Sequence, residues 1–67
     1  MTNNLKHYRT SKGITQVELS ELLGVSKDYI SQIERGKKNP GFTLAKKISN
    51  ILDKTVDEIF FEDIKNK

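Results

Sequence analysis

The sequence predicts an all-α domain of five short helices. Three observations predict it: apolar residues recur at helical spacing, two Thr-x-x-Glu capping boxes stand ahead of apolar runs, and glycines stand where helical patterns stop. No β-type alternation persists anywhere, and the chain holds no repeat, no low-complexity segment and no internal linker. Its 67 residues suffice for one small domain over residues 1–67 and exclude a two-domain reading. Only 34% of the residues are apolar, so the core must be small. Cysteine is absent, which leaves self-association as the main support available to so short a chain.

The first helical pattern opens after Asn3 or Asn4, places Leu5, Tyr8 and Arg9 on one side and ends before Gly13. Thr15 and Glu18 form a capping box, in which each side chain satisfies an end-group N–H of the other residue. Leu19, Leu22 and Leu23 follow at helical spacing, so the second helix spans about Gln16 to Leu23. Gly24 breaks it. Val25 is apolar, and Ser26 can N-cap a third helix from Lys27 to Glu34 or Arg35, closed by Gly36. The loop Lys37 to Gly41 is too polar and too rich in Pro and Gly to be helical, so a fourth helix starts near Phe42 or Thr43. Leu44, Ile48, Ile51 and Leu52 line its buried face. Thr55 and Glu58 make the second capping box, and Val56, Ile59 and Phe60 belong to a short fifth helix before a charged tail.

Composition narrows the function. Residues 1–47 carry nine basic against four acidic side chains, net +5, whereas residues 48–67 carry three against five, net −2. One end therefore suits a polyanion. His7 is the only histidine, there is no thiol, no Gly-rich phosphate loop and no cluster with metal-ligand spacing. We expect no enzyme, no cofactor, no metal and no small-molecule ligand. No apolar run approaches the roughly 20 residues of a membrane span, and MTNNLKHYRT lacks the apolar stretch of a signal peptide. A soluble, cytoplasmic protein without membrane contact is expected.

The second and third helices, joined through Gly24, Val25 and Ser26, have the helix-turn-helix arrangement. With Lys27 set at zero and about 100° per residue, Ser31 falls near 40°, Arg35 near 80°, Asp28 near 100° and Gln32 near 140°. Tyr29, Ile30 and Ile33 occupy the opposite arc. One face is wholly polar and able to hydrogen-bond base edges or phosphates, although any surface helix is polar outside. Convergence adds weight. Gln16 and Ser26 stand at two helix starts, where N–H groups favour phosphate, and Arg35, Lys37 and Lys38 lie at and beyond the end of the third helix.

The stretch TQVELSELLGVSKDYISQIERGKKNP, Thr15 to Pro40, resembles the Cro/CI-type (XRE-like) helix-turn-helix family of phage repressors and small bacterial regulators. Gln16, Leu19, Gly24, Val25, Ser26, Ile30, Glu34, Gly36 and Pro40 match in order, and the likeness continues through FTLAKKISNILDKTVDEIFFED. Ser20 stands where the family usually has Ala, a departure small enough to leave the fold intact. The resemblance implies a helix-turn-helix over about residues 16–35, with the helix from Lys27 in the major groove of double-stranded DNA. Lys27, Asp28 and Gln32 would face base edges with Ser31 beside them, while Gln16, Ser26, Arg35, Lys37, Lys38 and Asn39 would touch the backbone. Lys27 can donate to guanine, Gln32 can pair with adenine, and Asp28 can accept from cytosine or simply support the helix dipole. Arg9 and Glu34 occupy positions that resemble a partly buried ion pair. Lys6, Lys46 and Lys47 read as general electrostatics or solvated surface, and His7 reads as solvated.

Phe61 and Ile64 continue an apolar surface after Val56, Ile59 and Phe60 have closed the core. They either fold back on their own subunit or, with Phe60, build a two-fold interface over residues 56–67. Such an interface would set two reading helices about 34 Å apart. The expected function is a homodimeric, sequence-specific transcription regulator on a palindromic operator. The alternative is a protein-interaction module, antitoxin-like or the partner of another regulator, in which DNA binding is weak or secondary. An RNA-binding domain is a third reading, but the aromatic platforms usual for single strands are missing.

Overall fold

The computed structural model describes residues 3–62, so Ile64 of the expected interface lies outside it. Five helices follow one another: α1 (Leu5–Ser11), α2 (Gln16–Leu23), α3 (Lys27–Glu34), α4 (Phe42–Leu52) and α5 (Val56–Phe60). There is no strand among the described residues.

Local signals account for most boundaries. At the start of α2 the Glu18 N–H donates to Thr15 Oγ1 at 3.0 Å and the Thr15 N–H donates to Glu18 Oε1 at 2.8 Å. The same reciprocal pair opens α5, again at 3.0 and 2.8 Å. Accepting the Thr55 backbone N–H holds the Glu58 carboxyl below the usual carboxylate range. Between α2 and α3 the chain turns through Gly24 at φ +72°, a left-handed conformation that side chains with a Cβ resist. A Cβ there would meet no atom within 4 Å, so backbone conformation, not space, calls for glycine. Ser26 then accepts the Tyr29 N–H at 3.1 Å and caps α3.

Two ends differ from simple capping. Asn4 occupies the N-cap position of α1 but makes no capping bond; Asn3 does so, accepting the Leu5 N–H on Oδ1 at 3.0 Å. α4 ends at Asp53, which takes φ +57°, a region where glycine is usual. Replacing Asp53 with Gly is therefore expected to stabilise the chain by about 0.5–1 kcal/mol, measurable as a raised urea midpoint at unchanged slope.

Each helix sends apolar side chains to one core. Leu5, Leu19, Leu23, Ile30, Ile33, Ile48, Leu52 and Ile59 form it, and Ala45 is buried as well. Two expectations need correction. Leu22, grouped with Leu19 and Leu23 from its spacing, is 62% exposed, because it lies about 100° from Leu23 on the side away from Ser20. On α4, Leu44 and Ile51 are only half-buried, packed against the core at one edge of the apolar arc, while Ala45 is buried at the other edge, beyond Ile48 and Leu52. Ser20 is buried, and its hydroxyl donates to the Val17 carbonyl at 2.7 Å, so it enters the interior without an unpaired polar atom. α2 packs most extensively on α3, which makes the helix-turn-helix one rigid unit with α1 and α4 behind it.

Candidate nucleic-acid interface

α3 is fixed from behind and open in front. Ile30 and Ile33 are fully buried and Tyr29 half-buried, whereas Lys27, Asp28 and Arg35 are exposed and Ser31 and Gln32 half-buried on the opposite face. Beyond the helix the Lys37 and Lys38 N–H groups both donate to the Gln32 carbonyl, at 2.9 and 3.3 Å. This wrap keeps Lys37 and Lys38 beside the end of α3, and Asn39, also exposed, follows them. Ser26, exposed at the helix start, completes a polar strip along α3 and both its ends.

A polar network holds that strip against the other helices. Arg9 Nε donates to Glu34 Oε2 at 2.6 Å, and the two side chains are only 8% and 5% exposed. Arg9 Nη1 also donates to the Ile14 carbonyl at 2.7 Å, and Gln16 Nε2 donates to Glu34 Oε1 at 2.9 Å. One carboxylate thus ties the middle of α1 and the first residue of α2 to the end of α3. Gln16 is held by Glu34, with one of its amide protons engaged there. Glu34 faces inward and is closed to any ligand of the strip.

The C-terminal residues lie elsewhere. Phe60 is half-buried and Phe61 is 72% exposed; with Asn3, Asn39, Pro40, Ala45 and Val56 they line a groove of about 320 Å³. Phe42, read from the sequence only as a helix start, is 82% exposed. Among the described residues no helix is long and apolar enough to cross a membrane, and no three His, Cys, Asp or Glu side chains are grouped to hold a metal. His7 is exposed and stacks edge-on against Tyr8, whose ring also carries the Lys54 ammonium at 5.3 Å.

A helix-turn-helix family model, HTH_3, matches residues 5–59, from the first residue of α1 into α5. The chain belongs to the XRE-like helix-turn-helix family. An HTH-type transcriptional regulator of Methanocaldococcus jannaschii is 42% identical to it over 64 residues, covering 94% of this chain and 97% of that one. Among solved helix-turn-helix structures, the complex of SinR and SinI superposes with a TM-score of 0.79 at 38% identity, over 94% of this chain and 62% of that one. The structure of SinR, described as the master regulator for biofilm formation, in complex with DNA gives 0.69 at 43% identity, over 78% of this chain and 84% of that one. SinR of Bacillus subtilis is longer, and this chain spans about half of it (53%). The five-helix architecture of the described residues, expected from the sequence, is the Cro/CI-like fold of these regulators.

Proposed function

We propose that this helix-turn-helix protein is a sequence-specific, double-stranded-DNA-binding transcription regulator that acts as a homodimer on a palindromic operator. The observation that carries the reading is α3 itself: a helix pinned by Ile30 and Ile33, with Lys27, Asp28, Ser31 and Gln32 turned outward. In the major groove Lys27 donates to guanine O6 or N7, Gln32 pairs with adenine, and Ser31 and Asp28 adjust the choice. Ser26, Arg35, Lys37, Lys38 and Asn39 hold phosphates on either side, and the free amide proton of Gln16 reaches another. SinR, a relative solved on DNA, supports this use of the fold. No catalytic step and no small-molecule ligand enter the proposal; occupancy follows protein concentration or a partner protein in the cytoplasm.

Phe60, Phe61 and Ile64 make the two-fold contact. The exposed Phe61 ring supports it, because with Phe60 and Val56 it lines the groove, and a contiguous exposed apolar surface marks a contact site. Phe61→Glu should weaken association and operator binding together while leaving the helix content of the single chain unchanged, since the side chain is 72% exposed there. Unchanged sedimentation of this variant at micromolar concentration would remove Phe61 from the interface. A second reading, a protein-interaction module, draws support from SinR having been solved together with SinI and from the exposed Phe42.

A further inference from the structure

Two adjacent asparagines join the reading helix to the helix that opens the expected interface. Asn3 Nδ2 donates to the carbonyl of Ile33, in the last turn of α3, at 2.8 Å. Asn4, itself buried, donates through Nδ2 to the Glu58 carbonyl at 2.8 Å and also to the Glu62 carbonyl, and its backbone N–H donates to the Ile59 carbonyl at 2.7 Å. The last turn of a helix leaves carbonyls without partners, and Asn4 supplies donors to three carbonyls at the end of α5. Successive residues thus hold the C-terminal ends of α3 and α5, and the helix they open, α1, packs against both. Leu5, the next residue, is fully buried, so the clasp has an apolar anchor as well.

From this geometry we infer that Asn3 and Asn4 are positioning residues that set the angle between α3 and the dimer contact, and so the half-site spacing the protein accepts. The inference rests on the two-fold reading proposed above. If Phe61 meets its counterpart beyond α5, each reading helix is carried by a lever whose joint is this clasp. Half-sites lie one helical turn of DNA apart, about 34 Å for about ten base pairs, so inserting one base pair shifts a half-site by about 3.4 Å and rotates it by roughly a tenth of a turn. A rigid joint refuses that shift; a loosened joint follows it. Cutting either bond, Asn3 to α3 or Asn4 to α5, therefore has the same consequence although the two lie on opposite sides of the joint.

The test begins with the duplex that the full-length protein selects from a random pool. Versions of it are made with one base pair inserted or removed between half-sites, together with a single isolated half-site. The wild-type chain should lose about tenfold or more in affinity on altered spacing, whereas Asn3→Ala and Asn4→Ala should each lose about threefold or less. Their affinity for the isolated half-site and their self-association should stay within about twofold of wild type. A merely structural role would lower the melting temperature and all affinities alike without moving the spacing ratio. Folded, dimeric variants that discriminate spacing like wild type would overturn the inference. Asn3, only partly buried, keeps the test open if Asn4→Ala does not fold. Selection of an unpaired half-site by the wild-type chain would defeat the two-fold reading first, and the inference with it.

Discussion

Glu34→Ala is expected to leave most of the chain unfolded at room temperature. The substitution strands Arg9, whose side chain is only 8% exposed, and removes the acceptor of Gln16 Nε2. Breaking one partner out of a buried ion pair costs about 3–5 kcal/mol, comparable to the whole stability that a core of this size supplies. The surviving bond from Arg9 to the Ile14 carbonyl cannot offset it, because that bond already exists in the wild type. The double variant Arg9→Met with Glu34→Leu should recover much of the loss, since an apolar pair of similar bulk leaves no stranded charge. Urea unfolding followed by circular dichroism measures both. A Glu34→Ala midpoint close to wild type would mean that Arg9 reaches water by another path and that the network is dispensable.

Gln32→Ala should cost about 1–3 kcal/mol of operator affinity, roughly five- to 150-fold, with almost no change in binding to random duplex. Gln32 is half-buried on the open face of α3 and carries no charge, so its contribution is to sequence and not to phosphate attraction. Lys27→Ala should lose a similar amount on the operator and, being a lost cation, should also bind random duplex somewhat less. Arg35→Ala and Lys38→Ala should instead weaken both duplexes together and lower the salt slope by about one each. Fluorescence anisotropy on the two duplexes separates the classes. Equal losses for Gln32→Ala on operator and random DNA would take that residue out of base reading.

What was legible in the letters is what local chemistry determines. The capping boxes at Thr15 and Thr55 and the left-handed Gly24 need only neighbours within a few residues, and the helices begin and end where those signals stand. The wheel of α3 was equally readable, because Ile30 and Ile33 oppose Asp28 and Gln32 by periodicity alone. Leu22 and Ala45 were not, since spacing marks an apolar arc but not which edge of that arc another helix covers. Asn3 and Asn4 looked like ordinary helix-start residues. Their bonds to Ile33, Glu58 and Glu62 join positions 30 to 58 residues apart, and nothing local to an Asn-Asn pair announces partners at that distance. The acceptor of Gln16 was hidden for the same reason, lying 18 residues downstream.

Reading of a palindromic duplex by two copies of α3 is tested most directly by a salt titration of binding to the selected palindrome and to random duplex, with the mass of each complex measured alongside. Tighter binding to the palindrome, two chains per site and an affinity that falls steeply with salt on both duplexes are the expected result. Equal, feeble binding to both duplexes, or binding that survives high salt, would contradict operator recognition and turn the exposed Phe42 and Phe61 surfaces toward a protein partner.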